Sequence, residues 1–110
     1  MAKKSNLFLK KNPILRDFHV YVKAVARERG FEKETISNLF ILFLEECGEL
    51  AKAVRKTQNI HTDKNSQVFH VAHEAADVFM YLPEICNHYG IDLEQAFREK
   101  EEINKKRVWE

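Results

Sequence analysis

ISNLFILFLEECGELAKAVRK, residues 36–56, decides the fold class. Ile36, Phe40, Phe43, Cys47, Leu50 and Val54 recur every three or four positions, the spacing of one face of a helix running from near Thr35 to about Thr57. The run Leu39 to Leu44 is apolar on every side, so it must be covered all round, by neighbouring helices or by a second subunit. Three acids follow it. At ~100° per residue they point in different directions. Glu45 lies on a line with Lys52 and Lys56, where a solvated role is adequate, whereas Glu46 and Glu49 share a sector with Leu39, Leu42 and Ala53. Two carboxylates on a partly apolar face are costly without a cation.

The segment 58–66 is polar and reads as a loop, and a third helix is expected from about Ser66 to Tyr89, stopped by Gly90. Val68, Val71, Ala72, Ala75, Val78, Phe79, Leu82, Ile85 and Cys86 form its core side, and Pro83 stands inside it, unable to donate to the carbonyl of Phe79. This helix repeats the anomaly of the second. Glu74 and Asp77, three residues apart, lie on a line with His70 and Tyr81 and border Val78 and Ile85. Two helices thus bring acidic pairs towards a shared interior. If packed together, the four carboxylates cannot all stay ionised without a divalent cation, and hard oxygen donors suit magnesium or manganese. A solvated helix face remains the competing explanation for each pair.

Upstream, Asn12-Pro13 opens a first helix, with Asn12 as N-cap and Pro13 in the first turn; Ile14, Leu15, Phe18, Val22, Val25 and Ala26 form its stripe, and Arg29-Gly30 ends it. Residues 1–11 read as a flexible basic arm and 12–110 as a single helical domain. Downstream, Asp92 with Gln95 forms a capping-box pattern for a last helix carrying Leu93, Ala96, Phe97, Ile103 and Val108. Four helices with short connections and no strand-like alternation give an all-α, antiparallel four-helix bundle, expected to be oligomeric.

The net charge of +1, with lysines interleaved with acids, argues against a nucleic-acid polymer as partner. No apolar run approaches the ~18 residues of a membrane span, and the lysine-containing N-terminus lacks an apolar signal core, so a cytoplasmic location is expected. Cys47 and Cys86 have no metal-site spacing and read as buried reduced thiols.

The acids resemble the signature of the MazG-like, all-α nucleoside triphosphate pyrophosphohydrolases, EExxE followed by ExxD. Here it reads Glu45-Glu46-Cys47-Gly48-Glu49 and, after the 24 residues Leu50 to His73, Glu74-Ala75-Ala76-Asp77. The likeness continues through LRDFHVYVKAVARERGF, DVFMYL and GIDLEQAFREKEEINKKRVW, covering nearly everything after the basic arm. The resemblance implies that Glu46, Glu49, Glu74 and Asp77 hold Mg2+, with Mn2+ as a substitute, and that Glu45 or Glu49 guides the attacking water. It implies cleavage of (deoxy)nucleoside triphosphates to the monophosphate and pyrophosphate, in nucleotide-pool house-cleaning, with deoxypyrimidines favoured. Lys100, Asn104 and Arg107, on one line of the last helix, match family residues that bind phosphate; Tyr81 resembles a nucleotide-contacting Tyr, and Phe31 stands where relatives carry a Trp near the base. His73 replaces a frequent Glu and Lys56 an aromatic, departures that bear on base preference rather than metal binding.

Other readings fit parts of the pattern. A di-iron carboxylate bundle needs Glu-x-x-His on two helices, and no Glu here has His three residues later. His70 and His73 lack the further ligands of a zinc site. A non-catalytic module that binds nucleotide and metal on the same fold is the alternative sequence leaves open. A homodimer or homotetramer is expected, with the run Leu39 to Leu44 at its interface.

Overall fold

The structure, a computed structural model, describes residues 4–58 and 64–109, with the backbone alone at 64–69. It is all-helical: α1 (Leu15–Glu28), α2 (Ile36–Lys56), α3 (Lys64–Tyr89) and α4 (Leu93–Lys105), with no strand among the described residues. Part of the expected 58–66 loop, residues 59–63, lies outside the described residues, and α3 begins at Lys64, two positions before the expected Ser66.

Local chemistry sets most of the boundaries. The Thr35 hydroxyl accepts from the Asn38 N–H at 3.1 Å and opens α2. Gly30 (φ 81°) and Gly90 (φ 68°) end α1 and α3 in the left-handed region; the next N–H in each case reaches back to a helical carbonyl, Phe31 to Ala26 at 2.7 Å and Ile91 to Cys86 at 2.9 Å. The first helix departs from expectation. Asn12 is not its N-cap and Pro13 is not in it: Asn12 adopts φ 56°, and Ile14 is the N-cap. The cause is Asp17, whose carboxylate accepts the Ile14 N–H at 2.8 Å while its own N–H donates to the Ile14 carbonyl at 2.9 Å, so the helix starts at Leu15. At α4, Asp92 accepts from the Gln95 N–H at 3.2 Å, but the box is half formed, because the Gln95 side chain donates forward to Glu99 at 3.0 Å.

The most extensive packing joins α2 to α3. Leu39 shares a cavity wall with Glu84, Phe40 and Ile41 line another with Ile85 and Tyr89, and Glu46 meets Glu74 and Asp77; the start of α2 faces the end of α3 and a later turn of α2 faces an earlier turn of α3, so the two are antiparallel. α1 lies against α3 through an edge-to-face pair of Phe18 and Phe79, centroids 5.2 Å apart, and buries Val22, Val25 and Ala26. Pro83 is fully buried within α3. Cys47 and Cys86 are free thiols but only half-buried, a correction to the buried positions expected of them.

The face that α2 turns inward also differs from the expected stripe. Leu39 and Ala53 are buried, while Phe40, Ile41, Leu44 and Val54 are about half exposed. The single chain is open as a whole. Its surface is 9225 Å² at 13.0 kDa, against roughly 6,300 Å² for a compact monomer of that mass. Its radius of gyration is 16.9 Å, against about 13 Å for a compact chain of this length. Nothing on α4 is buried.

One polar junction fixes α4. The Leu93 N–H donates to Nε2 of His19 at 3.3 Å, so the ring proton is on Nδ1, which donates to Oδ1 of Asn87 at 3.0 Å; the Asn87 amide donates to the His19 carbonyl at 3.0 Å. A single side chain on α1 thereby ties α3 to the start of α4. His19→Ala is expected to lose about 1–3 kcal/mol in urea unfolding and to speed hydrogen exchange at the first-turn amides of α4. Unchanged exchange there would show that α4 is held by something else.

Candidate metal centre

The antiparallel register carries Glu46 of α2 to the level of Glu74 and Asp77 on α3. One carboxylate oxygen from each lies within 4.8 Å of the others. Opposite ligands of a magnesium ion are about 4.2 Å apart, twice its metal–oxygen distance, so a small rotamer adjustment closes the set on such a cation. Glu46 and Glu74 are half-buried and Asp77 is exposed, leaving one side accessible. No lysine or arginine among the described side chains pairs with any of the three; the ion pairs there all lie elsewhere, on α1 with its flanks and on α4.

The electrostatics follow from that crowding. Burial pushes the Glu46 carboxyl above its ordinary value of 4.5, and the charges of Asp77, Glu74, Glu49 and Glu45 push it further. Tyr81, half-buried one turn beyond Asp77, is raised in turn by burial and by Glu46, Glu84, Asp77 and Glu45. A hard divalent cation suits this donor set, since the donors are all carboxylates and the charge they share is negative.

The other sequence-derived residues fall in three places. Glu49 is exposed and outside the three-oxygen set, yet close enough for its charge to act on Glu46; Glu45 is exposed beside it. Phe31 lies on the wall of a separate cavity with Leu39 and Glu84. Lys100, Asn104 and Arg107 ride on and just beyond α4, whose packing is against α1: Asn104 donates to Glu101 at 3.1 Å, and the Arg107 guanidinium stacks 4.7 Å over the Trp109 ring. Within one chain they are not gathered at the carboxylates. Glu84 stands out only in the structure; its single sequence signal is a place seven residues beyond Asp77, on the same line of α3.

The profile of the MazG nucleotide pyrophosphohydrolase domain matches residues 34–108, about two thirds of the chain. This chain belongs to the MazG family. The matched span contains α2, α3 and α4, hence every acid of the cluster, whereas Phe31 and α1 precede it. No curated protein matches the chain. The MazG assignment accounts for the all-helical fold, and the acidic cluster supplies donors of the kind a metal-dependent member of that family needs.

The raised pKa of Glu46 has a defined sign. Its protonated form favours the fold, so its contribution is full below 4.5 and is lost as pH rises through the raised value. Glu46→Gln removes that loss. In chelator, the variant is expected to melt a few degrees above the parent at about pH 7.5, with the gap closing towards pH 4.5. A variant less stable than the parent at both pH values would mean that Glu46 makes a favourable contact instead.

Proposed function

We propose that this MazG chain is a magnesium-dependent hydrolase that cleaves (deoxy)nucleoside triphosphates to the monophosphate and pyrophosphate. The observation that carries this reading is the approach of the Glu46, Glu74 and Asp77 oxygens to within 4.8 Å from two helices of a MazG domain. Glu49 is taken as the fourth ligand, reaching the cation by a rotamer change from its exposed position. Mg2+, or Mn2+ in its place, would neutralise phosphate charge and make water more acidic.

The chain's own residues then have distinct tasks. Glu46, Glu74 and Asp77 would hold the cation and so set where the triphosphate lies. Glu45 or Glu49, both solvent-facing, takes the proton of a water as its oxygen bonds to phosphorus; the phosphoric anhydride bond breaks and pyrophosphate leaves with the electron pair. Tyr81, inside the same field, contacts the nucleotide; Lys100, Asn104 and Arg107, which stand apart from the carboxylates within one chain, are taken to bind phosphate in the assembly. The role fitting this chemistry is removal of unwanted nucleotides. No described helix is long and apolar enough to cross a membrane.

The functional unit is a homodimer or homotetramer. The half-exposed Phe40 and Ile41 line a cavity of about 470 Å³ with Ile36, Ile85 and Tyr89, Leu44 is half-exposed further along α2, and the surface in excess of a compact monomer is large enough for a stable interface.

Chromatographic separation of products from a panel of nucleoside triphosphates, with and without Mg2+, tests the activity. Monophosphate and pyrophosphate in equal amounts are expected, and Asp77→Asn should slow their release at least ~100-fold with helicity unchanged. Release of orthophosphate, or near-normal turnover by Asp77→Asn, would refute the reading. Sedimentation at micromolar concentration tests the assembly: a species at least twice 13.0 kDa is expected, reduced to the single chain by Ile41→Asp. A parent protein that sediments as one chain would contradict the assembly but not the chemistry.

A further inference from the structure

We infer that His19 is a pH-sensitive latch for α4: the neutral ring holds the start of α4 against α1 and α3, and a second ring proton releases it. The inference stands apart from the pyrophosphohydrolase reading, since no group of the latch belongs to the carboxylate cluster.

The state of the ring follows from its partners. A backbone N–H can only donate, so the Leu93 N–H at 3.3 Å requires a bare Nε2. The Asn87 amide nitrogen donates to the His19 carbonyl at 3.0 Å, which turns the amide oxygen, an acceptor only, to Nδ1 at 3.0 Å. Both contacts demand the same species, a neutral ring with its proton on Nδ1. A proton added at Nε2 converts the one acceptor into a donor aimed at a donor. The Leu93 N–H, a first-turn amide that no helical carbonyl serves, then loses its partner, and a positive charge stands at the end of α4 where the helix dipole is itself positive.

The surroundings offer the charged ring no compensation. His19 is half-buried, and both its nitrogens are taken by neutral groups. On α1 the charges nearest it in sequence are Arg16 and Lys23, one turn to either side, and Asp17, which is engaged by the Ile14 N–H and Lys10. On α3, Glu84 and His88 flank Asn87; burial and the charge of Glu34 favour the neutral acid of Glu84, and the His88 ring packs edge-on to Tyr89. At the start of α4, Asp92 accepts from the Gln95 N–H at 3.2 Å and Glu94 from Arg98 at 3.2 Å. None of these acids accepts from the ring among the described residues.

Little else retains α4. It buries no residue, and the side-chain bonds of Glu94, Gln95, Glu102 and Asn104 stay within or next to the helix itself. Once undocked, a helix of 13 residues is marginal in water and frays. Docking is therefore complete where imidazole is neutral and weakens as pH falls through the range, about 5 to 8, in which imidazoles titrate. Lys100 and Asn104 ride on the helix that is released.

The test is amide hydrogen exchange of the full chain from about pH 8 to about pH 5, with intrinsic rates divided out, in the parent, His19→Gln and His19→Ala, alongside the NMR titration of the His19 ring. In the parent, protection of α4 amides is expected to fall at least ~10-fold over that range, with the midpoint of the His19 ring, while α2 amides stay within about threefold. His19→Gln, whose carbonyl oxygen accepts at about the reach of Nε2 and takes no proton, should keep α4 protected throughout; His19→Ala should leave it unprotected throughout. The latch is overturned by a parent whose α4 protection is flat, by an equal loss at α2, by a fall that persists in His19→Gln, or by an Nε2 that carries the proton at the upper pH. Should His19→Gln fail to dock even there, the parent decides: coincident midpoints for the ring and for α4 support the latch, and separate ones overturn it.

Discussion

Antiparallel packing of α2 on α3 is the contact on which the rest of this molecule depends. Its α2 side carries the buried Leu39 and Ala53, and it fixes which turn of α2 faces which turn of α3. The same register that buries Leu39 brings Glu46 onto Glu74 and Asp77. Apolar burial supplies the free energy, and the acids oppose it, as the raised pKa of Glu46 shows. A site in which the fold holds like charges together is suited to a cation, and in the proposed function that cation carries the phosphates of the substrate.

The chain is unfinished in a second respect. A lone copy leaves Phe40, Ile41 and Leu44 part-exposed and keeps α4 on the surface, joined to the remainder through α1 and the His19 junction. The cations of the last helix belong to that loosely attached element, and within one chain they stand apart from the carboxylates. Packing and activity are thus coupled in the proposed assembly: the apolar surface of α2 reaches Leu44, directly beside Glu45 and two residues before Glu46.

Much of this was legible in the sequence because it was written in local rules. Thr35, Gly30, Gly90 and Asp92 mark helix ends through their own hydrogen bonds or backbone conformation, and the structure uses all four. Of the four acids singled out for facing the wrong way, the structure brings Glu46, Glu74 and Asp77 together and leaves Glu49 outside the set, and the MazG resemblance is matched by the family profile. What failed had non-local or competing causes. Asn12 can cap a helix that opens at Pro13, but the Asp17 carboxylate that accepts the Ile14 N–H makes Ile14 the N-cap instead. The inward face of α2 was misjudged because a helix apolar on all sides has no single stripe to follow, and inner and intersubunit faces look alike. Glu84 gains significance only from the cavity that α1 and residues 31–34 close around it, which no spacing on α3 reveals.

The central claim is that two helices of one chain create a cation site from Glu46, Glu74 and Asp77. Electron paramagnetic resonance of added Mn2+ measures it directly, because the free-ion signal falls as metal is taken up and Mn2+ occupies the same oxygen ligands as Mg2+. At neutral pH the parent chain should take up at least one Mn2+, displaced by excess Mg2+, and the double variant Glu74→Gln, Asp77→Asn should leave the free signal undiminished while remaining helical. Equal uptake by the parent and the folded double variant, or none by the parent even with a nucleoside triphosphate present, would contradict the account.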